Sequence, residues 1–342
     1  MKLHLPKLLL AFFFCLSLSA NAQDPHFSQF YNSPMTLNPA LTGLMNSEVR
    51  MMANYRSQWG SISTPFTTMS ASADFSLLHG ALSDDFVGLG LVILNDQAGS
   101  TQFRNTQVQF SGAYSKSIGR DGNNFISLGG QLGVAQQRIN LSKLLFDSQL
   151  DGEILNPDIN SGENFTNDNS LYLDFSAGIA WSYTPDEYNS FYAGAAMFHL
   201  NEPEISFLND PTELLYTKIS AYAGAEIQLT RDLSIIPRGI VLMQGTATEI
   251  NAGALLRFYM VNSPRAEERI SFYLGTMHRW KDAQIFITRF DYGPVGLSIS
   301  YDMNVSKLGN AINGPGSFEV ALVYQSLLTK DRRPGKVRCP QF

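Results

Sequence analysis

The stretch Leu171-Tyr-Leu-Asp-Phe-Ser-Ala-Gly-Ile-Ala-Trp-Ser-Tyr183 changes character at every residue. Leu171, Leu173, Phe175, Ala177, Ile179, Trp181 and Tyr183 fall on one side of an extended chain, against Tyr172, Asp174, Ser176, Gly178, Ala180 and Ser182 on the other. Successive strand residues point to opposite faces, so this period of two describes a strand with one apolar face and one that tolerates water. Strands in a soluble sandwich run about 5 to 6 residues. This one is about twice as long, and roughly 10 residues are what a tilted strand needs to cross a bilayer.

The same alternation recurs along the chain. Met69, Ala71, Ala73, Phe75 and Leu77 stand against Ser70, Ser72, Asp74 and Ser76, and Ile219, Ala221, Ala223, Ala225, Ile227 and Leu229 against Lys218, Ser220, Tyr222, Glu226 and Gln228. Fourteen such segments can be placed, from Glu48–Gln58 to Phe318–Gln325. An even number is what a single-chain bacterial outer-membrane barrel requires. If the chain enters from the periplasm, the odd-numbered connections face outward and include the long stretches 140–170, 201–215 and 305–317. The even-numbered ones are tight reversals such as Thr184–Tyr188 and Gly293–Pro294. The expected fold is all-β: one transmembrane antiparallel barrel of about fourteen strands with long extracellular loops.

The first residues agree with an exported protein. Lys2 and Lys7 precede an apolar run from Leu8 to Leu18 and the small-residue site Ala20-Asn-Ala22, the pattern of a cleaved signal peptide. The run is too short to span about 30 Å of hydrocarbon as a helix. The organisation read from the chain is a signal peptide (1–22), a periplasmic or luminal segment (23–47), the barrel (48–326) and a basic periplasmic tail (327–342). Loss of the two signal lysines takes the formal charge from −6 to −8, an acidic balance that argues against a nucleic-acid partner. Cleavage also removes Cys15 and leaves only Cys339, so no internal disulfide or multi-cysteine metal site is expected, and Cys339 is read as buried packing.

Catalytic and cofactor signatures are missing. Gly88-Leu-Gly90 and Gly129-Gly130 lie inside strands, where glycine marks a bulge or close packing and not a phosphate loop. His26, His79, His199 and His278 have no Gly-x-Ser-x-Gly elbow beside them; His79 is placed in a periplasmic turn, and His199 and His278 at strand ends in the membrane interface. The loop acids Asp147, Asp151, Glu153 and Asp158 fit no EF-hand spacing. Glu226, Arg238, Glu249, Arg257, Asp174 and Asp302 take inward slots, either as a pore-lining ring or as a salt-bridged lumen, the second being favoured. No enzyme activity and no cofactor are expected.

Three motifs near the N-terminus are more distinctive: Gln23-Asp-Pro-His-Phe-Ser-Gln-Phe-Tyr31, Leu37-Asn-Pro-Ala-Leu-Thr-Gly43, and Tyr55-Arg-Ser-Gln-Trp59 followed by Pro65-Phe66. With the terminus Arg338-Cys-Pro-Gln-Phe342, they resemble the PorP/SprF family of outer-membrane proteins of the type IX secretion system. The resemblance implies an outer-membrane protein of the Bacteroidetes lineage that takes part in export or surface attachment of secreted proteins, including gliding adhesins. Its implied partners are a secreted protein with a C-terminal sorting domain, periplasmic motor or scaffold components, and outer-membrane lipid.

Candidate partner-binding residues come from these ends: Phe27, Phe30, Tyr31, Asn38, Pro39, Arg56, Trp59, Arg332, Arg333 and Arg338. Phe27, Phe30, Tyr31, Leu37 and Leu41 are too apolar for a free tail, so the segment is expected to pack, either as a plug in the lumen or against the barrel base. Pro34 and Pro39 keep it irregular. Arg56 and Trp59 are expected at the outer end of the first strand, with Arg56 bridging toward Pro65-Phe66. The alternative to a secretion role is a small-solute channel.

Overall fold

The computed structural model describes residues 24–58 and 64–326, apart from 83, 100, 120, 145, 152–153, 157–158, 160–161, 163–166, 187, 209, 262–267 and 306–315. The expected signal peptide, Trp59, Arg332, Arg333, Arg338 and Cys339 lie outside the described residues, as do the side chains of the four loop acids.

Fourteen strands form one closed antiparallel barrel. They are β1 (Val49–Gln58), β2 (Phe66–Leu82), β3 (Asp85–Ala98), β4 (Phe103–Ser117), β5 (Asn124–Arg138), β6 (Asn169–Tyr183), β7 (Ser190–Phe198), β8 (Lys218–Thr230), β9 (Leu233–Gln244), β10 (Ala247–Val261), β11 (Ile270–Arg279), β12 (Ala283–Tyr292), β13 (Val295–Asn304) and β14 (Ser317–Ser326). Each pairs with its sequence neighbour, and β1 closes on β14 from Val49↔Ser326 to Gln58↔Ser317. Closure removes the two free sheet edges, which is what lets a sheet stand in hydrocarbon. The long connections, 139–168, 199–217 and 305–316, leave from one end. Longer loops face the exterior in outer-membrane barrels, so this is the outer end.

The alternation sets the wall as expected. Along β6, Leu171, Leu173, Phe175, Ile179 and Trp181 are exposed to the surroundings while Tyr172, Asp174, Ser176, Ala180 and Ser182 are buried inside. Aromatic side chains mark both interfaces: Trp181, Tyr183 and Phe191 stack in a row at the inner end, and His278 meets Trp280 edge-on at the outer end. One boundary differs: β2 runs on to Leu82, which pairs with Asp85 of β3, so His79 belongs to a strand and not to the turn expected for it.

The inward face is less polar than a water-filled barrel would have. Phe86, Phe125, Ile236, Leu255, Met277, Ile285 and Ile287 all point inside and are buried there. They form one core with Phe30, Tyr31, Leu37, Ala40, Leu41 and Leu44, which precede β1. The residues before the barrel therefore occupy its lumen, and the inside of the sheet is a protein core.

Candidate functional site

The segment 24–46 is built from short pieces. Phe30–Asn32 and Pro39–Leu41 are 3₁₀ turns, and Pro34–Leu37 is a single α turn. Each proline sits at the first helical position, where its missing N–H costs nothing, and neither turn extends beyond four residues. Asn38 joins the last two by accepting a hydrogen bond from the N–H of Ala40 at 2.8 Å. From Phe27 to Met45 nearly every residue is buried.

Three layers of contact hold this plug. At the outer end the Asp24 carboxylate meets His199 Nε2 at 2.6 Å and Lys218 Nζ at 2.8 Å, while its backbone N–H donates to Gln244 Oε1 at 2.8 Å. His199 Nδ1 lies 2.9 Å from Asp174, so the imidazole is clamped between two carboxylates. Burial opposes its charged form, but Asp24 and Asp174 outweigh that and raise the His199 pKa to about 9. For Asp24 burial likewise opposes the charge, yet Lys218 and His199 hold the carboxyl well below its usual range.

Below this lies a cluster of mixed charge. Glu319 accepts from the backbone N–H groups of Ser28 at 2.6 Å and Gln29 at 3.0 Å. Arg279 bridges Asp302 at 2.8 Å and Glu249 at 3.6 Å, and Glu249 meets His26 at 2.7 Å. Tyr31 lies under Arg238, whose guanidinium carbon is 4.1 Å from the ring centroid. Glu226 and Arg257 pair at 3.0 Å on the wall itself. The inward charges thus form a salt-bridged interior that grips the plug, not an open ring.

At the inner end Arg50 and Asp74, each 1% exposed, pair at 2.7 Å. Arg50 also donates to the Leu41 carbonyl at 3.0 Å, and Asp74 accepts from the Gly43 N–H at 2.8 Å. Between the two ends, Leu37–Gly43 lies against a track of small residues in the wall. A Cβ on Gly178 would strike Asn38, one on Gly129 would overlap Pro39 and Ala40, and one on Gly88 would overlap the Thr42 carbonyl. Asn38 Nδ2 donates to the carbonyls of Ile179 at 2.9 Å and Ala195 at 3.2 Å. The Asn-Pro-Ala-Leu-Thr-Gly motif is thus the part of the plug that touches backbone across β6, β5 and β3.

Phe27, Phe30, Tyr31, Asn38 and Pro39 come together here, and their contacts are with this chain's own wall. Arg56 joins them and corrects the expectation of an interface bridge. Its Nη1 donates to the His26 carbonyl at 2.5 Å and lies 3.5 Å from Glu319, because residue 56 falls on the inward side of β1. His199 is also corrected: it is buried in the lumen, not in the membrane interface. The Asp24 tether and the Arg50–Asp74 pair were not foreseen. The glycines inside strands were the available sign of a close backbone neighbour.

A family model described as the type IX secretion system membrane protein PorP/SprF matches residues 19–324. No curated protein matches the chain. Among solved structures, it is similar to the toluene transporter TodX of P. putida, with 9% identity, 84% of this chain and 92% of that one covered, and a TM-score of 0.46. CdiB from Escherichia coli gives 10% identity, 81% and 63% coverage and a TM-score of 0.45. The KdgM porin in complex with disordered oligogalacturonate gives 8% identity, 81% and 98% coverage and a TM-score of 0.39. Similarity at these values says nothing about activity. The family match spans nearly the whole barrel and its plug, and the chain belongs to the PorP/SprF family of type IX secretion system membrane proteins, as a barrel of the bacterial outer membrane.

Proposed function

We propose that this protein is a closed, non-enzymatic receptor barrel of the secretion system, which binds a specific secreted protein through its C-terminal sorting domain and aids its export or holds it at the surface. The observation that carries the reading is the filled lumen. Asp24 to Met45 occupy the interior and are bonded to the wall at both ends. A small-solute channel needs an open, water-wide interior, so the reading that uses the outside of the barrel is favoured.

The surface left for a partner is the outer rim. Connections 139–168 and 199–217 lean together there: the Asn167 N–H donates to the Phe207 carbonyl at 3.4 Å, and Phe207 meets Phe103 edge-on. The second of these loops exposes Leu208, Leu214 and Tyr216. Loops on a rigid scaffold are where binding specificity is normally carried. The inner end, where β14 finishes at Ser326, is the side on which periplasmic motor or scaffold components would dock.

The test is a pull-down of tagged protein from gently solubilised outer membrane, comparing wild type with a variant lacking 140–167. A large secreted partner that is captured by wild type and lost with the loop supports the receptor. Wild-type protein that captures no partner and passes small sugars in liposome swelling would overturn it in favour of the channel.

A further inference from the structure

The outer face of the wall carries an arrangement that the plug does not use. Arg104 on β4 and Arg138 on β5 are direct cross-strand partners. Both occupy the outward positions of their strands: Asn105 and Gln107 beside one, and Gln137 beside the other, are buried inside, while Arg104 and Arg138 are exposed. Both lie at the outer end, where β4 begins and β5 ends. Like charges directly opposite on a sheet repel and destabilise it. Their protein partners are slight: Arg104 Nη2 donates to Gln97 Oε1 at 3.3 Å, and Arg138 lies 3.6 Å from Asp168 with both side chains well exposed.

Position along the strands supplies a second constraint. The outward residues below Arg104 become apolar at Val108 and Phe110, and those below Arg138 at Val134 and Leu132. Each arginine is four residues above that boundary. At about 3.3 Å per residue and a tilt of about 40°, this is about 10 Å above the hydrocarbon, within the headgroup layer of the outer leaflet. The two side chains, with Gln102, Ile139, Asn140 and Asp168, line a cleft of about 440 Å³.

We infer that Arg104 and Arg138 form a binding site for the phosphate groups of an outer-leaflet glycolipid. Two planar guanidinium groups opposed across a ladder match a phosphate better than lysines would, since each offers paired donors. A phosphate between them converts the repulsion of the pair into attraction. The lipid-facing side of the wall, beside acyl chains packed on Val108, Phe110, Leu132 and Val134, favours a lipid-borne phosphate over a free one. Asp168 leaves the cleft with a net positive charge. The inference rests on the membrane orientation of the barrel and not on the receptor proposal, so the two fail separately.

The experiment is native mass spectrometry of the full-length barrel in detergent, titrated with bisphosphorylated lipid A, with dephosphorylated lipid A and with inorganic phosphate. Wild type is expected to bind the bisphosphorylated lipid at least about tenfold more tightly than the Arg104→Gln/Arg138→Gln variant. The dephosphorylated lipid should show no such difference. Lys116→Gln, at the inner end of β4, is expected to bind as wild type does. Heat-modifiable gel mobility checks that each variant is folded, and Arg138→Lys alone, which keeps the charge, serves if the double variant is not. That single variant should bind the bisphosphorylated lipid more weakly than wild type does, and equal affinity to wild type would overturn the site. Equal binding by folded wild type and double variant, equal binding of the dephosphorylated lipid, or equally tight capture of inorganic phosphate would overturn the proposal.

Discussion

At the scale of single residues, the plug is held by charges that cannot be left alone. His199 is charged in the fold because two carboxylates face it, with a pKa of about 9 against an ordinary value of about 6.5. A group whose pKa is raised by folding stabilises fully below its unfolded value and loses that contribution as pH rises through the folded one. Thermal stability in detergent is therefore expected to decline between about pH 6.5 and 9. His199→Asn should lack that part of the slope; an unchanged pH profile would remove the tether from the explanation. Arg50→Ala should cost about 3 to 5 kcal/mol in denaturant unfolding, because it leaves the buried Asp74 carboxylate without its counter-charge. An apolar swap of both partners should cost much less, which separates the burial penalty from the worth of the pair.

At the scale of elements, Leu37–Gly43 and the strands β3, β5 and β6 are complementary surfaces. The motif offers a turn whose backbone is nearly bare, and the wall offers Gly88, Gly129 and Gly178 at the points of approach. Gly129→Val places a branched side chain where Pro39 and Ala40 now lie, so the plug must shift or the strand must bend. The expected outcome is a loss of about 1 to 3 kcal/mol or more, with a rise in single-channel conductance in planar bilayers. Gly130→Val, one residue along and directed away from the plug, is the control and should leave the bilayer silent. Strand positions were legible from alternation because each strand's two faces meet different media. The glycine doublets were legible as close packing, but what packs there was not, since the plug is distant in sequence from the strands it touches. Arg56 illustrates the limit: the sequence puts it near a strand end, and only the register with Glu319 shows which way it points.

At the scale of the whole molecule, the plug has a polarity. Asp24 is bonded at the outer end, by His199, Lys218 and Gln244, and the chain runs inward to Leu41 and Gly43, which meet Arg50 of β1 and Asp74 of β2. An epitope inserted between Ala22 and Gln23 should therefore be reached by antibody on intact cells, while one at the C-terminus should require permeabilisation. Labelling of both only after permeabilisation would reverse this polarity. The sequence by itself determined the architecture: fourteen alternating segments, their long and short connections and the inward charges, because the boundary between lipid and interior imprints a period of two on every strand. It also bounded the start of the chain as too apolar to lie free. Only the tertiary structure decided that this segment fills the lumen, that Phe86, Phe125 and Ile285 face it, and that Asp24 meets His199. Those pairings arise from closing the sheet into a ring, which brings together residues 175 positions apart, and no local pattern carries the identity of a neighbour across that distance.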